Sequence, residues 1–169
     1  NFFYNSMEIY SPQTSGSWFA GPPMLTARGN SPAFCSATVK GERRVYLCGG
    51  STDGVALNSC TYLNLETQTW NAMNETMDAS RQGPSGALLP GNESFIVCGG
   101  RSSGTILATC SKLNLTSHAF STIASMLTQR YYLQVVLFLG VLVAIGGNIN
   151  GGSSGYLASC EQYHEGNNT

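Results

Sequence analysis

Only 10% of this 169-residue chain is charged, with 8 Lys or Arg against 9 Asp or Glu and a formal net charge of −1. Soluble domains usually carry about 25%, so the surface must be neutral and hydroxyl-rich. No basic cluster exceeds Arg43-Arg44, which leaves nothing to attract a nucleic-acid backbone or an acidic membrane. The length suits one β-rich domain burying about two-thirds of its unfolded surface.

Internal repetition organises the chain. It opens in mid-repeat, because Tyr4 to Trp18 aligns with Leu57 to Trp70 with one residue inserted. Residues 1–18 are therefore expected to form the outer strands c and d of a partial sheet. Residues 19–70 make the first full unit and residues 71–120 the second, while 121–169 make a third that lacks its last strand. All belong to one domain. Each unit has a Met and then an Arg (Met24 and Arg28, Met77 and Arg81, Met126 and Arg130), followed by an apolar strand a. Strand b then closes on a glycine pair: Gly49-Gly50, Gly99-Gly100 and Gly146-Gly147. Strand c carries Cys60, Cys110 or Cys160, each preceded by a Leu three residues earlier, and strand d carries Trp18, Trp70 or Phe120. Four short strands of this kind form a sheet that must bury a face against its neighbour. The apolar run from Tyr131 to Ile145 falls in register with the a and b strands of the other repeats. It is short for a membrane span and is interrupted by Gln134 and Gly140.

The gap from Cys48 to Cys60 recurs from Cys98 to Cys110, and no CxxC occurs. That spacing suits one cross-link per unit and does not suit a zinc knuckle. Disulfides imply an oxidising compartment, and sequons at Asn74, Asn92, Asn114 and Asn167 accord with a secreted protein bearing N-linked glycans. The chain starts at Asn1 without a signal peptide, so either processing or trimming of the sequence is expected to have removed the start. Cys35 and Cys160 are left over, because the position that would partner Cys160 is Ile145. They are candidates to pair with each other, to stay free, or to link subunits.

The diglycine closing strand b, the aromatic of strand d, and the Pro-Met and Arg that follow resemble the Kelch repeat, and together they cover nearly the whole chain. The resemblance implies an all-β fold of Kelch-type β-propeller blades, each a four-stranded antiparallel sheet, with a partner docking on loops at one end of a central channel. Two features depart from the family pattern. Leu63 and Leu113 stand where Kelch units carry a Tyr, which only Tyr10 and Tyr163 supply. The cysteine pairs are also an addition, read as staples between strands b and c. About three blades are too few to close a propeller, which needs four or more. The fold is then an incomplete propeller unless other chains complete it: either the chain is a fragment of a longer propeller, or chains join, giving a six-bladed two-fold ring or an open filament.

No catalytic, cofactor or metal site is expected. His118 and His164 both sit among turn-like residues, too few for a metal site and without the Tyr and His set of Kelch-type copper-radical oxidases. The glycine-rich stretch from Asn148 to Gly155 reads as a b-to-c turn, since no Lys follows it. Arg28, Arg81 and Arg130 recur equivalently and so read as structural, bonding backbone carbonyls between blades; Trp18, Trp70 and Phe120 read as inter-blade core. Candidate contact residues are Asp53, Arg101 and Asn148 in the b-to-c loops, and Phe138 and Leu139 in an apolar turn. The expected function is an extracellular, non-enzymatic interaction module binding copies of itself or another extracellular protein. The alternative is part of a carbohydrate-binding or carbohydrate-oxidising propeller.

Overall fold

The computed structural model describes residues 4–12 and 16–163, and among them the chain is all-β, with no helix. A hairpin of β1 (Glu8–Ser11) and β2 (Ser17–Ala20) comes first. An antiparallel sheet follows, with β3 (Ala33–Val39), β4 (Glu42–Cys48), β7 (Ser59–Asn64) and β8 (Thr69–Thr76) side by side in that order. The loop between β4 and β7 holds a small ribbon of β5 (Ser51–Thr52) and β6 (Val55–Ala56). The second sheet repeats the plan with β9 (Ser85–Leu88), β10 (Ser94–Cys98), β13 (Cys110–Asn114) and β14 (Phe120–Ile123), and with a ribbon of β11 (Arg101–Ser102) and β12 (Thr105–Ile106). The third sheet has three strands, β15 (Gln134–Phe138), β16 (Val141–Ile145) and β17 (Cys160–Tyr163).

Local sequence explains these strands. In β3 the buried residues Ala33, Cys35, Ala37 and Val39 alternate with outward Phe34, Ser36 and Thr38, the period of a strand with one covered face. β10 has no such alternation: Phe95, Ile96 and Val97 are all buried, because the second sheet lies between the other two. Lys40-Gly41 and Leu139-Gly140 take positive φ at both positions, the two-residue turn that matches the twist of a hairpin. The apolar run from Tyr131 to Ile145 thus becomes the β15–β16 hairpin, and no helix is long and apolar enough to cross a membrane. The strand carrying each aromatic continues past it, since Thr76 still pairs with Ser59 and Ile123 with Cys110. Unit edges drawn at residues 70 and 120 consequently cut into β8 and β14.

The sheets stack face to face. Cys35, Tyr46, Met73, Phe95 and Leu113 belong to a core between the first and second sheets, with Phe120 packed against it. Ile96, Leu133, Val135, Leu142 and Ala144 belong to a second core, between the second and third. β9 touches β3 on one side and β15 on the other, so the three a strands stand next to one another, as blades do around an axis.

One arginine clasps each junction. The backbone amide of Arg81 donates to the Leu57 carbonyl, and its own carbonyl accepts from Gly50. Its guanidinium reaches into the next sheet, where Nη1 donates to the Gly99 and Thr109 carbonyls at 2.9 and 2.8 Å. Arg130 repeats this one sheet further on, its backbone bonding Leu107 and Gly100 and its Nη1 bonding the Gly146 and Ser159 carbonyls. Arg28 makes the equivalent bonds to Gly49 and Ser59. These guanidinium groups, each bonded through Nη1 to a pair of backbone carbonyls, are structural.

Candidate interaction surface

The third sheet is covered on one face only. Val135, Leu142 and Ala144 point into the core shared with the second sheet. Val136, Phe138, Val143 and Ile145 alternate with them and point the other way. Phe138 is 64% exposed, Ile145 46% and Val136 40%, and cross-strand pairing sets Val136 opposite Val143. Ile145 and Val143 occupy the repeat positions of Cys98 and Ile96, which the third sheet buries. The apolar composition of this face is that of a blade junction, yet no sheet lies over it among the described residues. Leu139, at the tip of the hairpin, is more exposed still.

Among the described residues, β7 and β13 each carry a further strand, whereas β17 is the last strand of its sheet. Beside it, between β14 and β17, runs a groove of about 700 Å³ lined by Ile123, Met126, Val135, Leu142 and Tyr163. Glu161 of β17 is tied into the Arg130 clasp at 3.0 Å and also accepts from the Leu127 and Thr128 amides. Burial alone would raise its carboxyl, but the bonds from Arg130, Leu127 and Thr128 outweigh burial and hold it below the ordinary carboxylate range. Asp78 does the same for Arg81, with Ser111 donating to it.

The cysteines divide as their positions dictate. Cys48 lies directly opposite Cys60, and Cys98 opposite Cys110; their Cα atoms are 4.2 and 4.1 Å apart and both pairs are bonded. Facing pairs outside the hydrogen-bonded rungs come this close, so each disulfide staples strand b to strand c. Cys35 and Cys160 are free. Cys35 is buried at the first junction, where desolvation pushes its thiol up to about 12. Cys160 faces Ile145 and is exposed, so the two do not pair with each other.

Several expectations change in the structure. Asn148 is only 2% exposed. Its side chain donates to the Gly152 and Ser154 carbonyls and accepts from the Asn150 and Gly151 amides. It pins its own loop and is not a contact residue. Arg101 is half-buried, its backbone bridged to Gln82, while Asp53 is exposed in the β5–β6 turn. Trp70 is part of the packing, donating from Nε1 to the Pro22 carbonyl at 2.9 Å, but Trp18 is 67% exposed. Among the described residues β2 pairs with β1 alone, and Trp18 lies outside both cores. His118 is not a free surface group: it stacks near Tyr62 and Tyr46, at 5.4 and 6.4 Å. Burial first, then Arg44 and Lys40, lower its pKa.

No spacing along the chain announces that cluster, because Tyr46, Tyr62 and His118 come from β4, β7 and the turn before β14. Arg44 stacks over Tyr62 at 4.6 Å, beside a polar cleft that also holds Asn71, Glu75 and Ser117. Among the sequons, Asn74, Asn92 and Asn114 are exposed; Asn167 and His164 lie outside the described residues. No group of three His, Cys, Asp or Glu suited to a metal ion occurs among the described residues.

With this geometry in view, comparison with known families is decisive for one blade: the family model of the Kelch motif matches residues 32–77, which spans the first four-stranded sheet. Residues 32–77 carry a Kelch motif. The second sheet repeats that Kelch blade strand for strand, and the third repeats it through strand c. No curated protein matches the chain. A Kelch motif points to a protein-interaction module.

Proposed function

We propose that this Kelch chain is an extracellular interaction module that assembles with further copies of itself through its uncovered blade faces. The single observation that carries the reading is the apolar far side of the third sheet. Val136, Phe138 and Ile145 are exposed where the equivalent side of the second sheet is closed. The near side of the first sheet shows Phe34, 68% exposed, beside outward Ser36 and Thr38. One such face laid on the other extends the stack, closing into a ring or running on as a filament according to the angle. The two disulfides support an oxidising compartment. N-linked glycans at Asn74, Asn92 and Asn114 belong to the same reading.

The size of the purified protein, measured under non-reducing conditions and again after reduction, tests this. Defined multimers are expected in the first case. If Cys160 links subunits, reduction lowers their stability; if the faces alone hold them, they persist. A protein that stays monomeric and binds glycans would displace this reading in favour of a carbohydrate-binding propeller.

A further inference from the structure

The turns between β7 and β8 and between β13 and β14 are equivalent, with Gln68 and His118 at the same position and at similar positive φ, 54° and 63°. Gln68 is exposed and folds back, donating from Nε2 to the Leu65 carbonyl of its own turn at 2.9 Å. His118 instead crosses to the first blade, where its ring lies against Tyr62 at 5.4 Å and edge-on to Tyr46 at 6.4 Å. Tyr46 adds a second crossing contact, its hydroxyl donating to the Leu115 carbonyl at 3.4 Å.

The two sides of this imidazole differ. Its Nε2 is buried without a hydrogen-bond partner. Cations stand on the side of the first blade: Arg44 stacks over Tyr62 at 4.6 Å, and Lys40 lies in the β3–β4 turn. The carboxylate on that side, Glu42, is taken up by Arg44 at 2.6 Å and by Asn64 at 3.0 Å. On the other side His118 lines a cleft of about 360 Å³ that it shares with Asn71, Ser117 and the exposed carboxylate of Glu75. A neutral ring suits the first setting. Protonation would add a third cation there and leave a buried, charged N–H without an acceptor.

We infer that His118 is an acid-operated latch: neutral, it closes the rim of the first junction against Tyr46 and Tyr62, and protonated, it leaves them for the cleft and Glu75. The latch works within one chain and goes beyond the assembly reading. Burial first, then Arg44 and Lys40, lower the pKa of His118 in the closed state. Closure is therefore at full strength above the ordinary value of about 6.5. It weakens as pH falls through that value, until the lowered one is passed. Asp78 and Glu161, which tie the arginine clasps, are held below the ordinary carboxylate range and so titrate in a lower window.

Cys35 reports on the latch, because it lies opposite Tyr46, which lies opposite Tyr62, and is buried at the same junction. In a Cys160→Ser chain its rate with dithiodipyridine, a reagent active in acid, is measured from about pH 8 to about pH 5, relative to the unfolded chain at each pH. The relative rate is expected to rise by up to about tenfold per pH unit below about 6.5. His118→Gln, which installs the residue of the equivalent turn, should abolish the rise, and Glu75→Gln should reduce it. A relative rate independent of pH, or a rise that survives His118→Gln, would overturn the latch; an undiminished rise in Glu75→Gln would overturn its destination. The ring protons of His118, with His164 as the only other histidine, should titrate with a midpoint below about 6.5. A midpoint at or above that value would overturn the latch even if His118→Gln fails to fold.

Discussion

A Cβ placed on Gly49 would lie 2.7 Å from the carbonyl oxygen of Arg81, so the diglycine is where one blade accepts the backbone of the next. Gly99 stands in the same relation to the carbonyl of Arg130. The arginine and the glycine pair are thus two halves of one joint. The arginine can enter the following blade only because nothing projects from the strand end against which its backbone rests.

Gly49→Ala is expected to destabilise the fold by more than the left-handed backbone alone would cost. A non-glycine residue at such a φ loses about 1–2 kcal/mol, and a clash with a backbone carbonyl adds to that. Gly54→Ala is the control, because its φ of 80° is just as unfavourable but no atom lies within 4 Å of the added carbon. Chemical denaturation of both variants checks this: a clearly lower midpoint for Gly49→Ala is the expected order, and equal midpoints would remove the clash from the account.

The acid stability of the third blade should depend on Glu161. A carboxyl held below its ordinary range in the folded state contributes stability above its unfolded pKa, and that contribution is lost as pH falls through the lowered value. Glu161→Gln is expected to cost about 1–3 kcal/mol near neutrality, and the difference from the wild type should shrink to nothing in acid. Urea midpoints across the acid range measure it.

Thiol chemistry should separate the two free cysteines. Cys35, buried and with its thiol raised to about 12, stays protonated and shielded at mildly alkaline pH, while Cys160 is exposed. A chromogenic disulfide reagent should titrate one thiol in the native protein and two in denaturant, and Cys160→Ser should remove the native signal. Removing one staple, as Cys98→Ala with Cys110→Ala, should cost about 3 kcal/mol by the chain-entropy estimate for a loop of this length.

What could be read from sequence were the positions the backbone itself dictates. Gly49 and Gly99 are fixed by the carbonyl they face, Arg81 and Arg130 by the carbonyls they bond, and Cys48 and Cys60 by facing each other across two strands; each constraint recurs with the repeat and is visible as a period. Positions defined by neighbours far away in the chain were not legible. Trp18 shares its repeat position with Trp70, yet one is packed and the other bare, because the difference lies in which sheet stands opposite. Asn148 looked like a loop contact because an Asx residue that folds its own turn and one that meets a partner have the same local sequence. His118 and Tyr62 come from different blades, with no spacing to announce them.

Electron microscopy of the purified, non-reduced protein tests the central claim most directly, namely that uncovered Kelch blade faces are joined by copies of the same chain. Regular rings or filaments with a blade-sized repeat are the result expected from the stacked sheets and the open third face. A field of separate particles, each the size of one chain at every concentration examined, would contradict it.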